Sequence, residues 1–193
     1  ILKKAAGEAR WKDIFAVTPF DLSMLILHML FIGVLVAIAV YDMRHTIIPD
    51  AWAYTAAALA LGITLVARPE SALITLLAGP ATALPLFAMW FVSKGRWMGL
   101  GDSKLALCIG FFLGPLFGLI AIMYAFIVGA LVSVLILLPL PHILSFAHKQ
   151  GISGWQSLPT RFTMKSEVGF GPFLVAAFFI VWFSLLYNIP LPI

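Results

Sequence analysis

Long apolar runs separated by short polar loops dominate the sequence. In the first half, each run carries almost no charge and has roughly the 20 residues that an α-helix needs to cross a bilayer. Pro80 and Pro85 interrupt the third run, and membrane helices tolerate proline when neighbouring groups satisfy the freed carbonyls. The pattern therefore predicts three membrane helices, at residues 22–41, 51–67 and 71–92.

The second half holds one long apolar stretch, a polar loop and a final apolar run. The stretch, residues 105–138, is too long for one ordinary span, and Gly114-Pro115 is its natural break because proline interrupts a helix. We expect a short fourth helix before this break, a full fifth helix after it and a sixth at residues 170–187, beyond a loop at 139–168. The sequence thus predicts an all-α polytopic membrane protein with about six transmembrane helices.

The composition supports this class. Hydrophobic residues make up 63% of the chain, charged residues only 10%, and the mean hydropathy is +1.08, far from the values of soluble domains. The basic residues are scattered rather than grouped with aromatic platforms, so no nucleic-acid partner is expected. Cys108 is the single cysteine, and the four histidines lack ligand spacing with carboxylates, so no metal or cofactor is expected.

Residues 1–20 differ from the rest of the chain. They carry Lys3, Lys4, Arg10 and Lys12 among aromatic and aliphatic side chains, as in an amphipathic helix that lies on a membrane surface. The end of a longer upstream region would have the same composition. We therefore divide the chain into an interfacial or truncated segment, 1–20, and a transmembrane domain, 21–193.

The first candidate for chemistry is Asp102. Gly99 and Gly101 lead into it, and an apolar helix begins immediately afterwards. An ionisable residue at the edge of a membrane segment is costly and is by default a functional-site hypothesis. The structural alternative is that Asp102 is only a helix N-cap.

Asp42, at the end of the first predicted helix, is the second carboxylate. Two crossings separate it from Asp102, so both must lie on the same side of the bilayer. Apart from residues 1–20, the opposite side carries only one basic residue, Arg68. The positive-inside rule therefore makes the side of the aspartates cytoplasmic. The basic residues on that side are Arg44, Lys94, Arg96, Lys104, Lys149, Arg161 and Lys165.

Two carboxylates in close contact disfavour double ionisation, so such a pair tends to share a proton. One member can then take a proton from water while the other protonates a peptide carbonyl. Helix dipoles suggest how the roles divide, because Asp102 is expected at a helix N-terminus and Asp42 at a helix C-terminus. On that basis Asp102 is predicted to be the more readily ionised partner.

At this point the residues resemble a known family. Gly99-Leu-Gly-Asp102-Ser-Lys104 is similar to the GxGDxK signature of the type IV prepilin peptidases and their archaeal preflagellin relatives. Asp42 followed by Ile48-Pro49-Asp50 resembles the family's first aspartate region. Gly169-Phe-Gly171-Pro172 resembles its late motif at the start of the last helix. The matches extend over residues 42–174, in the family's order.

The resemblance implies a GxGD intramembrane aspartic endopeptidase in the cell membrane, with its active site on the cytoplasmic side. Its partners would be the lipid bilayer and prepilin-like or pseudopilin-like substrates, cut between a basic leader and an apolar helix, usually after a glycine. The implied catalytic pair is Asp42 and Asp102. Asp50 is the rival to Asp42, and is more plausibly a cap of the second helix. The residues expected to shape the site or bind substrate are Gly99, Gly101, Lys104, Pro49, Asp50, Gly169, Gly171 and Pro172.

Several alternatives remain open at this level. Larger members of the family carry a domain with two Cys-x-x-Cys pairs that accompanies methylation of the product. Residues 1–193 contain one cysteine and no such domain, so no methyltransferase activity is expected from them. A presenilin-like protease also fits Tyr41-Asp42 and Gly99-Leu-Gly-Asp102, but the Pro-Ala-Leu motif of that class is missing. An ion-coupled transporter or assembly scaffold could use the same aspartates. Lys104 is either a partner of the aspartate pair or substrate, or a snorkelling lysine. The oligomeric state is not specified.

Overall fold

The computed structural model describes residues 19–134 and 169–190, and within these ranges the regular structure is entirely helical. The all-α prediction is confirmed. The predicted segment 1–20 lies almost wholly outside the described residues, as does the loop at 139–168. The helices are α1 (Pro19–His45), α2 (Asp50–Ala67), α3 (Ala72–Ser93), α4 (Leu100–Leu113), α5 (Pro115–Val132) and α6 (Gly171–Tyr187), with a 3-10 turn at Pro69–Ser71 before α3.

Gly114 separates α4 from α5, at the predicted break. It takes a left-handed φ of 85°, and Pro115 opens the next helix, where its missing N–H costs nothing. Pro80 and Pro85 lie inside α3 without ending it, also as predicted. Pro49 is the N-cap of α2, directly before its first residue.

Four of the described helices are long and apolar enough to cross a membrane: α1, α2, α3 together with its preceding turn, and α5. Helix α6 is apolar over 17 residues, and α4 has only 14. These helices make the chain a multi-pass membrane protein, and about six transmembrane helices is consistent with them.

The short helix α4 is the centre of the bundle, since its backbone lies against α2, α3, α5 and α6. Its aromatic contacts extend to α1 as well. The ring of Phe112 stacks on Phe31 of α1, with centroids 4.8 Å apart, and meets Phe178 of α6 edge-on at 5.4 Å. Phe31 and Phe178 are fully buried, so this triad joins the three helices that carry the site described below.

On its opposite side α4 approaches α3 and α5 closely through small residues. Gly110 faces Ala78 and Thr82 of α3, and Gly118 of α5 packs against the same Thr82. The buried Thr82 hydroxyl donates to the Ala78 carbonyl within its own helix, so it adds no unsatisfied polar group. Close backbone approach through such residues is the usual packing mode of membrane helices.

Candidate active site

Asp42 lies in the last turn of α1 and is almost fully buried, with 3% of its surface exposed. Its carboxylate reaches the start of α6, where the Gly171 amide N–H donates to Oδ2 at 2.9 Å. Gly169 also lies directly against this carboxylate. The N-terminus of α6 therefore surrounds the Asp42 side chain with glycine backbone.

Asp102 is the third residue of α4 and is 7% exposed. The loop before it is held by Ser93, the last residue of α3. The Trp97 amide donates to Ser93 Oγ at 3.3 Å, and Arg96 Nε donates to the Ser93 carbonyl at 3.2 Å. These bonds hold the first part of the α3–α4 loop, which ends at Gly99, the N-cap of α4.

The two carboxylates line one cavity of about 620 Å³. The count of crossings required them to lie at the same end of the bundle, and the structure places them there. The rest of the cavity is half polar and half apolar. Its other walls come from the α3–α4 loop and from α5 and the start of α6, including Arg96, Trp97, Met98, Phe126, Phe170 and Phe173.

Helix dipoles were the basis for predicting that Asp102 ionises more readily than Asp42, and the structure does not support that basis. Asp102 is in the first turn of α4, as expected, but Asp42 also meets a helix N-terminus, that of α6, through the Gly171 N–H. Helix N-termini favour negative charge. Since both aspartates face one, the dipole does not single out Asp102 as the more readily ionised partner.

Asp50 and Lys104 contact each other, and the sequence did not predict this contact. Asp50 is the first residue of α2 rather than its N-cap, which is Pro49. The Asp50 Oδ1 accepts from Lys104 Nζ at 2.5 Å. The Lys104 ammonium also lies 5.3 Å from the centre of the Tyr54 ring. Asp50 is outside the cavity that Asp42 and Asp102 share.

The remaining predicted site residues fall into two groups. Gly99 and Gly169 line the shared cavity, and Gly171 and Pro172 form the first turn of α6 beside Asp42. Gly101 packs against Ile48, behind the carboxylates, and Pro49 is the residue that follows Ile48 in the chain. Among the described residues, no group of three or more His, Cys, Asp or Glu is placed to hold a metal ion.

A comparison with protein-family models gives one match, to the type IV leader peptidase family, over residues 29–134. This range includes both aspartates and the whole GxGDxK segment. The chain belongs to the type IV leader peptidase family. No match was found among curated proteins or among solved structures.

Sequence reasoning missed several residues of this leader peptidase site. Ile48 is buried beneath it; the sequence named Ile48 only as part of the Ile48-Pro49-Asp50 motif, and nothing distinguished it from the adjacent Ile47. Ser93 fixes the loop to Asp102, yet a serine at a helix end is too common to be informative. The cavity residues of α5, such as Phe126 and Ala130, belong to a uniformly apolar run in which no position stands out.

The contact of Gly169 with Asp42 leads to a first testable prediction. A β-carbon at position 169 would overlap with the Asp42 carboxylate, which would have to move away from the Gly171 N–H. We expect Gly169→Ala to lower the cleavage rate about 100-fold, the size of effect that follows from ~1 Å displacement of a reacting group. The unfolding temperature should change little, because only the end of a side chain has to shift.

Gly33→Ala is the matched control for this variant, because a β-carbon at position 33 of α1 would meet nothing within 4 Å. Its cleavage rate should equal that of the wild type. Full activity of Gly169→Ala would show that the position of the Asp42 carboxylate does not matter for cleavage.

Proposed function

We propose that this leader peptidase is an intramembrane aspartic endopeptidase in which Asp42 and Asp102 together activate water. The observation that carries the proposal is that two nearly buried carboxylates, from two different helices, line one cavity. Burial strengthens their interaction because the surroundings screen charge less than bulk water does. A pair of this kind holds one proton between its members.

In the proposed reaction the ionised carboxylate takes a proton from a water molecule as its oxygen attacks the scissile carbonyl carbon. The protonated carboxylate donates its proton to the carbonyl oxygen, which gives a neutral tetrahedral intermediate. As this intermediate collapses, the protonated aspartate gives its proton to the leaving nitrogen, the C–N bond breaks, and the other aspartate takes a proton from one hydroxyl of the intermediate, so that an amine and a carboxylic acid remain. The two aspartates return to their singly protonated state, so the cycle closes without a metal or cofactor.

The proposed substrates are prepilin-like or pseudopilin-like proteins with a basic leader followed by an apolar helix. Two features support this choice. Both aspartates lie near helix ends rather than at the middle of a span, which suits a cut at the membrane surface. The α3–α4 loop contributes the charged Arg96 to the cavity and α5 and α6 contribute Phe126 and Phe173, so the cavity can accept the boundary between a polar and an apolar segment. The positive-inside rule, applied to the basic loops, supports a cytoplasmic position for this surface.

The test is to incubate the protein in liposomes with a substrate that has a basic leader, a glycine and an apolar helix, and to sequence the product from its N-terminus. We expect a single cut directly after the glycine. Replacing that glycine by valine is the matched control and should slow cleavage at least ~10-fold, because a tight subsite rejects added carbon atoms. A cut inside the apolar helix would instead indicate a presenilin-like activity. Ion-driven flux without any cleavage would contradict the proposal.

A further inference from the structure

The short connection between α1 and α2, residues 46–49, follows directly on the turn of α1 that carries Asp42. The Thr46 amide N–H donates to the Asp42 carbonyl at 2.8 Å, and Thr46 turns the chain with a left-handed φ of 53°. The connection then passes through Ile47, Ile48 and Pro49 to Asp50. One tight loop therefore joins the first aspartate of the site to the partner of Lys104.

Ile48 is buried within this loop, whereas its neighbour Ile47 is exposed; the exposed fractions are 7% and 66%. The Ile48 side chain fills the space left by two glycines. A β-carbon on Gly101 would come within 2.8 Å of Ile48 Cβ, and a β-carbon on Gly171 within 3.3 Å of Ile48 Cδ1. Gly101 directly precedes Asp102, and Gly171 provides the N–H that binds Asp42. One side chain thus lies behind both carboxylates.

The far end of the loop is fixed to α4. Lys104, two residues after Asp102, binds Asp50 through the 2.5 Å ion pair, and its side chain is only 17% exposed. The Asp50 side chain is 65% exposed, and exposed ion pairs generally contribute little to stability. This pair nevertheless connects the loop that carries Ile48 to the helix that carries Asp102.

We propose that Ile48 is a positioning residue that sets the spacing between Asp42 and Asp102, and that the Asp50–Lys104 ion pair holds Ile48 in place. The inference rests on the proposed function of the two aspartates. A pair that shares one proton and one water molecule depends strongly on its spacing, and a displacement of ~1 Å can cost about 100-fold in rate. Removing the spacer should therefore impair the chemical step more than substrate binding.

Ile48→Ala tests the spacer, with Ile47→Ala as the matched control one residue away. We expect Ile48→Ala to lower kcat by roughly 10- to 100-fold, with KM and the extent of membrane insertion unchanged. Ile48→Val keeps a branched side chain and should recover most of the rate. Ile47→Ala should behave as the wild type, because the Ile47 side chain is exposed. A change in KM alone, or equal effects of the two alanine variants, would overturn the proposal.

A charge exchange tests the ion pair. Asp50→Lys and Lys104→Asp each place two like charges at the contact, and we expect each to lower kcat about 10-fold, with recovery in the double variant. Lys94→Asp is the control, because Lys94 is exposed in the α3–α4 loop and its left-handed backbone tolerates aspartate. Single variants with no effect, or a double variant no better than either single one, would show that the pair does not position the loop.

Infrared spectroscopy separates failure of this inference from failure of the proposed function. The carboxyl band that disappears in Asp42→Asn reports on the pair without requiring any cleavage. It should shift in Ile48→Ala and stay in place in Ile47→Ala, whether or not the substrate is cut. Suppose that the aspartate variants lose cleavage while Ile48→Ala keeps the band position and a normal kcat. The catalytic role of Asp42 and Asp102 would then be supported, and the positioning role of Ile48 would be wrong.

Discussion

Asp42→Asn and Asp102→Asn should each lower the rate of prepilin cleavage at least ~10³-fold, within the range of ~10²–10⁴ that a positioned acid or base contributes. Asparagine keeps the shape of aspartate but cannot exchange the proton. The two residues act as one unit in the proposed reaction, so the double variant should be no slower than either single variant. The measurement is the initial rate in liposomes, with equal amounts of inserted protein.

Asp50→Asn is the control for this pair. It removes a carboxylate on the same side of the protein but retains an oxygen that can accept from Lys104. We expect only a few-fold loss, about the effect of weakening one charge-assisted hydrogen bond. If Asp50→Asn abolished cleavage while Asp42→Asn remained active, the catalytic pair would be Asp50 and Asp102. Full activity in all three variants would exclude an aspartic mechanism for this site.

Gly110→Ala should destabilise the folded protein by about 3 kcal/mol or more, at the upper end of overpacking effects. A β-carbon at position 110 would overlap with Thr82 Oγ1 and lie 2.5 Å from the Ala78 carbonyl oxygen. The second contact is with backbone, so no change of side-chain rotamer relieves it. Helices α3 and α4 would have to move apart at the closest contact of the bundle.

Gly62→Ala is the matched control for this variant, because it lies inside α2 with nothing within 4 Å of the added carbon. Alanine is the better helix former by roughly 0.5–1 kcal/mol, so this variant should be neutral or slightly more stable. The measurement is the midpoint of unfolding of the protein in mixed micelles. Equal midpoints for Gly110→Ala and Gly62→Ala would show that α3 and α4 do not meet as closely as described.

The helical framework could be predicted from the sequence because a bilayer imposes a simple rule on length and polarity. Every described helix matches an apolar run, and the break at Gly114-Pro115 follows from an apolar stretch too long for one span together with a Gly-Pro pair inside it. The placement of Asp42 and Asp102 at one end of the bundle could also be predicted, since it requires only a count of crossings.

The contacts around the carboxylates could not be predicted in this way. The hydrogen bond from Gly171 to Asp42 joins residues 129 positions apart, and hydropathy contains no information about which helices become neighbours. In the sequence, Asp50 directly precedes the predicted second helix and resembles a cap. Its partner in the structure, Lys104, lies on α4. In the sequence, Ile48 cannot be distinguished from any other apolar residue in a loop. Its burial depends on two glycines that are distant in sequence, Gly101 and Gly171.

The arrangement of α1 makes the lipid environment part of the site. Only 17% of the residues in its most apolar window are buried within the described bundle, compared with 28%, 33% and 28% for α2, α3 and α5, and yet α1 carries Asp42. In a membrane, most of the surface that the described helices leave open on α1 would face acyl chains. Lateral pressure in the bilayer should act on the distance between the carboxylates, so a detergent that leaves the bundle folded can still lower the turnover rate, and restoring lipid should restore it.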